Sequence, residues 1–283
     1  MRVFITVCIF LLTLTSPLVA WDTYEQHEAA TPQQPQQPGS EFCNGIRNHA
    51  FQAGEILKYR VNYGVVGIHL TTGGEASFTT TLEKFQGKDV YHIIGEGSTS
   101  AFYDKFFKVR DKYETYIDTA TLQPYKFLRD VNEGGYKTYE NVSSIKAAHT
   151  AVTNTGVYNV PDCVQDVLSA IFYARNIDFS SHKVDDKIPF DMFLDRQVYH
   201  LYVRYLGKET IRTSYGKFRT IKFKPLLVKG TMFEGGEKMT VWVSDDPNHI
   251  AVRIESPITV GKVSVDMSYH SPLRYPLTSL IDL

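Results

Sequence analysis

The stretch KVRDKYETYID, residues 108–118, sets six charges among eleven residues, and its reading decides the fold class. Under the period of two that a strand imposes, Lys108, Arg110, Lys112, Glu114, Tyr116 and Asp118 form a solvated face. Val109, Asp111, Tyr113, Thr115 and Ile117 form the other, a mostly apolar row with one carboxylate in it. A buried unpaired carboxylate is costly, so the structural reading pairs Asp111 with an inward arginine, for which Arg129, Arg175 and Arg204 are available. The functional alternative is a carboxylate of raised pKa in an apolar cavity, serving as general acid or ligand anchor.

The same alternation extends outward from this segment. GEILKYRVNYG places Leu57, Tyr59, Val61 and Tyr63 on one side, and EASFTTTLEK places Ala76, Phe78, Thr80 and Leu82 inside. FLRDVNEGGYKTYENV reads as a hairpin, with Asn132–Gly135 supplying the positive φ angles of a tight turn. YHLYVRYL, FRTIKFKPLLV, MTVWV, HIAVRIE and KVSVDMSY continue the pattern between Gly, Asp-Asp-Pro-Asn and Ser-Pro breaks. One segment departs from it. PDCVQDVLSAIFYARN aligns Val164, Val167, Leu168, Ile171 and Phe172 on a helical stripe, with Asp162 as N-cap candidate and Gln165 three residues on. The expected fold is mainly all-β: a curved antiparallel sheet or partly closed barrel, with one amphipathic helix over 162–176 plugging or flanking its concave side.

The chain opens MRVFITVCIFLLTLTSPLVA. A charged start, a short apolar run and a small-residue exit at Ala20 describe a secretory signal peptide over 1–20. Cys8 lacks the small residues of a lipoprotein cleavage site before it, which argues against a lipid anchor. Residues 21–42, with ATPQQPQQPGS, read as a flexible linker. Residues 43–283 read as one β-rich domain, with a weak internal echo relating about 50–145 to 190–283. Removing the leader leaves Cys43 and Cys163 in an oxidising compartment, so a disulfide between them is expected, against the alternative of two buried thiols.

Lys plus Arg number 30 against 31 Asp plus Glu, a balance that disfavours nucleic acid as a partner. Nine histidines are present, but none in HExxH or a close pair, and the cysteines are not in CxxC spacing, so no metal or cofactor is expected. No GxSxG elbow occurs, the Gly pairs are isolated at turns, and Asp185-Asp186 and Asp245-Asp246 sit in apparent turns. Asn141-Val142-Ser143 fits a glycosylation pattern. No catalytic residue is assigned. Tyr59, Tyr63, Phe78, Tyr113 and Phe172 could line a cavity for a lipid tail or glycan ring, or form ordinary core.

AFQAGEILKYRVNYG, FFKVRDKYETYIDTATLQPYKFLRDVNEGGY, PDCVQDVLSAIFYAR and VWVSDDPNHIAVRIE, in that order, resemble an exported bacterial family known as domain of unknown function 3108. Ala251 stands where such relatives would carry a proline. The resemblance runs from Cys43 to the end and implies a Gram-negative envelope setting, periplasmic in location. It brings no activity and no catalytic residues. The strand, Asp-turn, strand grammar is also similar in pattern to periplasmic lipoprotein carriers, an analogy of fold that does not establish function.

Three functions follow as expectations. The first is non-catalytic binding of a lipid or glycolipid in a β cavity, with the aromatic rows as the site. The second is a scaffold or interaction subunit in envelope assembly, with a filled core and a protein partner. The third and weakest is a hydrolase using carboxylates such as Asp111 and Glu55. No transmembrane span is expected after the leader.

Overall fold

The computed structural model describes residues 46–64, 71–105, 107–145, 148–228, 236–257 and 261–282. Eight strands come first: β1 (Ile56–Gly64), β2 (Thr71–Phe85), β3 (Lys88–Thr99), β4 (Val109–Asp118), β5 (Pro124–Glu133), β6 (Tyr136–Ile145), β7 (Thr150–Thr153) and β8 (Gly156–Asn159). A helix, α1 (Val167–Ala174), separates them from β9 (Lys187–Leu194), β10 (Gln197–Arg212), β11 (Lys217–Pro225), β12 (Thr240–Ser244), β13 (Ala251–Pro257), β14 (Lys262–Ser271) and β15 (Leu280–Asp282). All fifteen strands join one sheet, in the order β8 to β1, then β14 down to β9, with β15 added beside β11.

Two antiparallel meanders therefore meet where β1 pairs with β14, and the free edges are β8 and β9, the two strands that flank α1 in sequence. Among the described residues, the sheet does not close by hydrogen bonds. Its edges meet instead through side chains, with the Tyr158 ring of β8 5.7 Å from the Phe193 ring of β9. Register shifts at Lys58/Tyr59, Tyr116/Ile117 and Tyr205/Lys208 insert bulges, which increase local twist and curl a sheet of this size around its core.

β4 carries the alternation that its charges dictate. Val109, Asp111, Thr115 and Ile117 are buried, Arg110 and Lys112 are exposed, and Tyr113 is half-buried. Leu82 corrects the reading of β2: Thr80 is 1% exposed but Leu82 is 55% exposed. β1 pairs with β2 as far as Thr79, and the segment ahead of β1 reaches Thr80 through Gly54 and Glu55; at Leu82 β2 has β3 as its paired neighbour and no strand on the other side to extend the core. At the β5–β6 turn, Gly134 and Gly135 have φ of 56° and 89°, and a Cβ on Gly134 would lie 2.0 Å from the Phe107 ring.

The helix is shorter than 162–176 and starts later. Gln165 is held as a strand-like residue: its N–H donates to Asp191 O and its carbonyl accepts from Phe193 N, both at 2.9 Å, forming a parallel bridge to β9. The N-cap is therefore Asp166 and not Asp162. Its carboxylate accepts the N–H groups of Leu168 and Ser169, while the Ser169 hydroxyl accepts the Asp166 N–H, a reciprocal capping box. Asp162 instead pairs at the surface with His149.

Two clusters fill the interior. The larger surrounds α1 and its Phe172 with Phe51, from the segment ahead of β1, and with side chains from both meanders, including Ile93, Phe127, Phe190 and Phe223. The second packs the inner row of β1 against Val263, Val265 and Met267 of β14 and Phe218 of β11. Gly95 on β3 makes room for the helix, since a Cβ there would sit 3.2 Å from Leu168 and 3.1 Å from Phe78.

Candidate functional site

The aromatic residues named from sequence fall together only in part. Tyr59 and Phe172 are buried, at 3% and 1% exposure. Phe78 stands between them, 5.9 Å from each ring, and Phe172 continues to Phe51 at 5.0 Å, which meets Tyr91 at 5.0 Å. These contacts are edge-on, the favoured geometry for aromatic pairs, so each ring occupies space beside the next. Burial pushes the Tyr59 hydroxyl well above the usual tyrosine range. Tyr63 lies with Tyr59 in the second cluster, and Tyr113 packs on the larger cluster that holds Phe172, 6.3 Å from Phe127.

Asp111 is buried, as its place on the inner face of β4 requires, and accepts the Asn132 N–H at 3.0 Å. The three arginines expected beside it bind other carboxylates. Arg175 forks onto Glu55. Arg204 binds Glu237 at 2.7 Å, and Arg129 binds Asp195 at 2.5 Å and lies 2.9 Å from Glu140. Glu55, the second carboxylate of the hydrolase reading, is thus enclosed in an ion pair at 1% exposure. Cys43 lies outside the described residues; Cys163 has a φ of 61° in the turn ahead of Gln165.

The seam between the sheet edges gathers polar groups that sequence reading missed. Thr115 of β4 donates its hydroxyl to Asp166 Oδ2 at 2.6 Å. Burial pushes the Asp166 carboxyl up to about 6, against the lowering effect of the Thr115, Ser169 and Leu168 hydrogen bonds. Arg129 of β5 joins Glu140 of β6 to Asp195 in the β9–β10 turn. Burial works against its charge, but the two carboxylates outweigh it and hold the guanidinium above its ordinary pKa. Glu140 Oε2 faces Arg129 at 2.9 Å as an ion pair, and Arg129 Nε, Asp195 Oδ2 and Gln165 Oε1 are buried without hydrogen-bond partners among the described residues.

Next to this cluster is a recess of about 30 Å³, lined by Pro124, Phe127, Val142, Ala151, Val164 and Phe193 with Lys126, Gln165 and Asp166. It has room for about one or two waters and falls an order of magnitude short of the roughly 300 Å³ of a small-molecule site. Asp166-x-x-Ser169 was the local signal of the cap; nothing local joins Arg129 to Asp195. Among the described residues, no cluster of His, Cys, Asp or Glu is arranged to hold a metal, and no helix is long and apolar enough to cross a membrane.

The fold is similar to that of a β-barrel-like protein of domain of unknown function DUF1849 from Brucella abortus. The TM-score is 0.53 at 9% identity, over 78% of this chain and 99% of that one. A candidate lipoprotein of Parabacteroides distasonis aligns at a TM-score of 0.35 and 14% identity, over 81% of this chain and 99% of that one. No curated protein matches the chain. The family model of the proteins of unknown function DUF3108 matches residues 58–268, and the chain belongs to that family.

Proposed function

We propose that this is an exported envelope protein, periplasmic in a Gram-negative cell, that acts without catalysis as a scaffold or interaction subunit. The observation that carries this reading is the filling of the sheet's concave side. α1 and the rings of Phe51, Phe78 and Phe172 occupy the space that a cargo would take. A packed interior leaves the outer surface and the sheet edges as the places where a partner can act. The apolar leader at residues 1–20 and the Cys43–Cys163 disulfide belong to the same reading, since both fit an oxidising compartment.

Crosslinking in intact cells, followed by purification under denaturing conditions, tests it. A stoichiometric envelope protein partner is the expected result, and a protein that crosslinks to nothing speaks against the scaffold.

A second reading keeps an apolar or amphiphilic ligand, a lipid or glycolipid, and moves it from the aromatic rows to the seam. The apolar lining of the recess favours this, and a recess of this size admits no more than the end of an acyl chain. Native mass spectrometry with organic extraction distinguishes the two: a bound lipid supports the ligand reading, an empty protein the scaffold.

A further inference from the structure

One rim of the sheet is built unlike the opposite one. The β3–β4 connection and the β5–β6 turn lie side by side there, with Gly134 N–H donating to Lys108 O at 2.9 Å and the Phe107 ring against Gly134. Phe102 is 63% exposed at the tip of this connection and Tyr136 41% exposed beside the turn. Lys105, Lys108, Arg110 and Lys137 are exposed around them. Of the carboxylates nearby, Asp104 pairs with Arg110 at 2.6 Å, and Asp111 and Glu133 lie beneath the surface, with the three lysines exposed outside them. At the other end of the same strands, the β2–β3 turn is the polar pair Gln86-Gly87, and the rings beside it, Phe85, Tyr116 and Tyr125, pack on one another and are half-buried, with Lys84 paired to Asp89 and Lys88 over the Tyr125 ring.

From this asymmetry we infer that the rim formed by Phe102, Tyr136, Lys105, Lys108 and Lys137 docks on the headgroup layer of an anionic lipid surface. The aromatic side chains would enter the interface between headgroups and acyl chains, where amphipathic rings are favoured. The lysines would keep their heads at the level of the lipid phosphates. A protein partner is the poorer fit, because the buried parts of protein interfaces are enriched in aromatics but depleted of lysine, and here the two are interleaved. The inference does not depend on the scaffold reading: a subunit with or without a protein partner can rest on a membrane by this edge.

The test is flotation of the protein, in the form that cells process it to, with phosphatidylcholine vesicles made with and without phosphatidylglycerol. Wild type is expected to float with the anionic vesicles and to be released by salt. Lys105, Lys108 and Lys137 together changed to Gln should weaken binding on the order of a hundredfold, as about 1 kcal/mol per surface lysine implies, and Phe102→Ser should weaken it further. These positions are exposed, so unchanged melting temperatures confirm that the variants fold. Wild type that stays with neither vesicle overturns the inference, as does binding that the variants leave intact. Loss of a crosslinked protein by the variants while vesicles go unbound would make the rim a protein interface and overturn it equally.

Discussion

Arg175 grips Glu55 with both terminal nitrogens, Nη1 to Oε1 at 2.5 Å and Nη2 to Oε2 at 3.0 Å. It also donates Nε to Asn248 O at 3.0 Å, and its guanidinium lies over the Phe51 and Phe172 rings. Arg175 is the C-cap residue of α1, so one side chain ties the helix to the segment entering β1 and to the loop between β12 and β13.

Breaking that clasp leaves a buried charge without its partner. Arg175→Met is expected to cost about 3–5 kcal/mol, read as a lower midpoint in urea unfolding. Adding Glu55→Leu should recover part of the loss, because the double variant buries no orphan charge. A double variant no more stable than Arg175→Met would show that the pair's ionic character is not what the single change removes.

Asp166 gives a pH dependence of stability with a definite sign. Its carboxyl is pushed up from 3.8 to about 6 by burial, so between these values the native state holds a proton that the unfolded chain has released. The stabilisation is complete below pH ~4 and is lost as pH rises through ~6, on the order of 2–3 kcal/mol. Asp166→Asn keeps an oxygen to cap Leu168 and Ser169 and should remove this slope. Chemical denaturation of both proteins across that window, compared as a difference, isolates the group from carboxylates such as Glu83, which His92 holds below the usual range and whose contribution has the opposite sign.

Gly95 is a place on β3 where a side chain would meet α1. Gly95→Ala forces Leu168 and Phe78 back by a few tenths of an ångström, a modest cost. Gly95→Val should cost about 1–3 kcal/mol by overpacking. Melting temperatures of the two variants check the order; equal values would mean that the helix is free to lift.

Cys43 and Cys163 are expected to be joined in the protein made in an oxidising compartment. Thiol titration of the unfolded, unreduced protein should then find neither group free, and reduction should lower stability by about 2–4 kcal/mol. Two titratable thiols before reduction would refute the bond.

The sequence by itself determined the strands, the family and the place of the helix, because these rest on local periodicity. KVRDKYETYID could place its charges outside and Asp111 inside from the pleat alone. It could not set the start of α1, since Asp162 and Asp166 both precede the same apolar stripe; the bridge from Gln165 to Met192 decided between them. Nor could it pair the arginines. Which carboxylate meets Arg129, Arg175 or Arg204 depends on how far the two meanders curl, and that closure brings β5 to the β9–β10 turn 66 residues away. The filled interior was decided at the same level, because an inward aromatic row lines a cavity or a core according to what packs across from it. Here α1 packs there, and the space is closed by its own side chains.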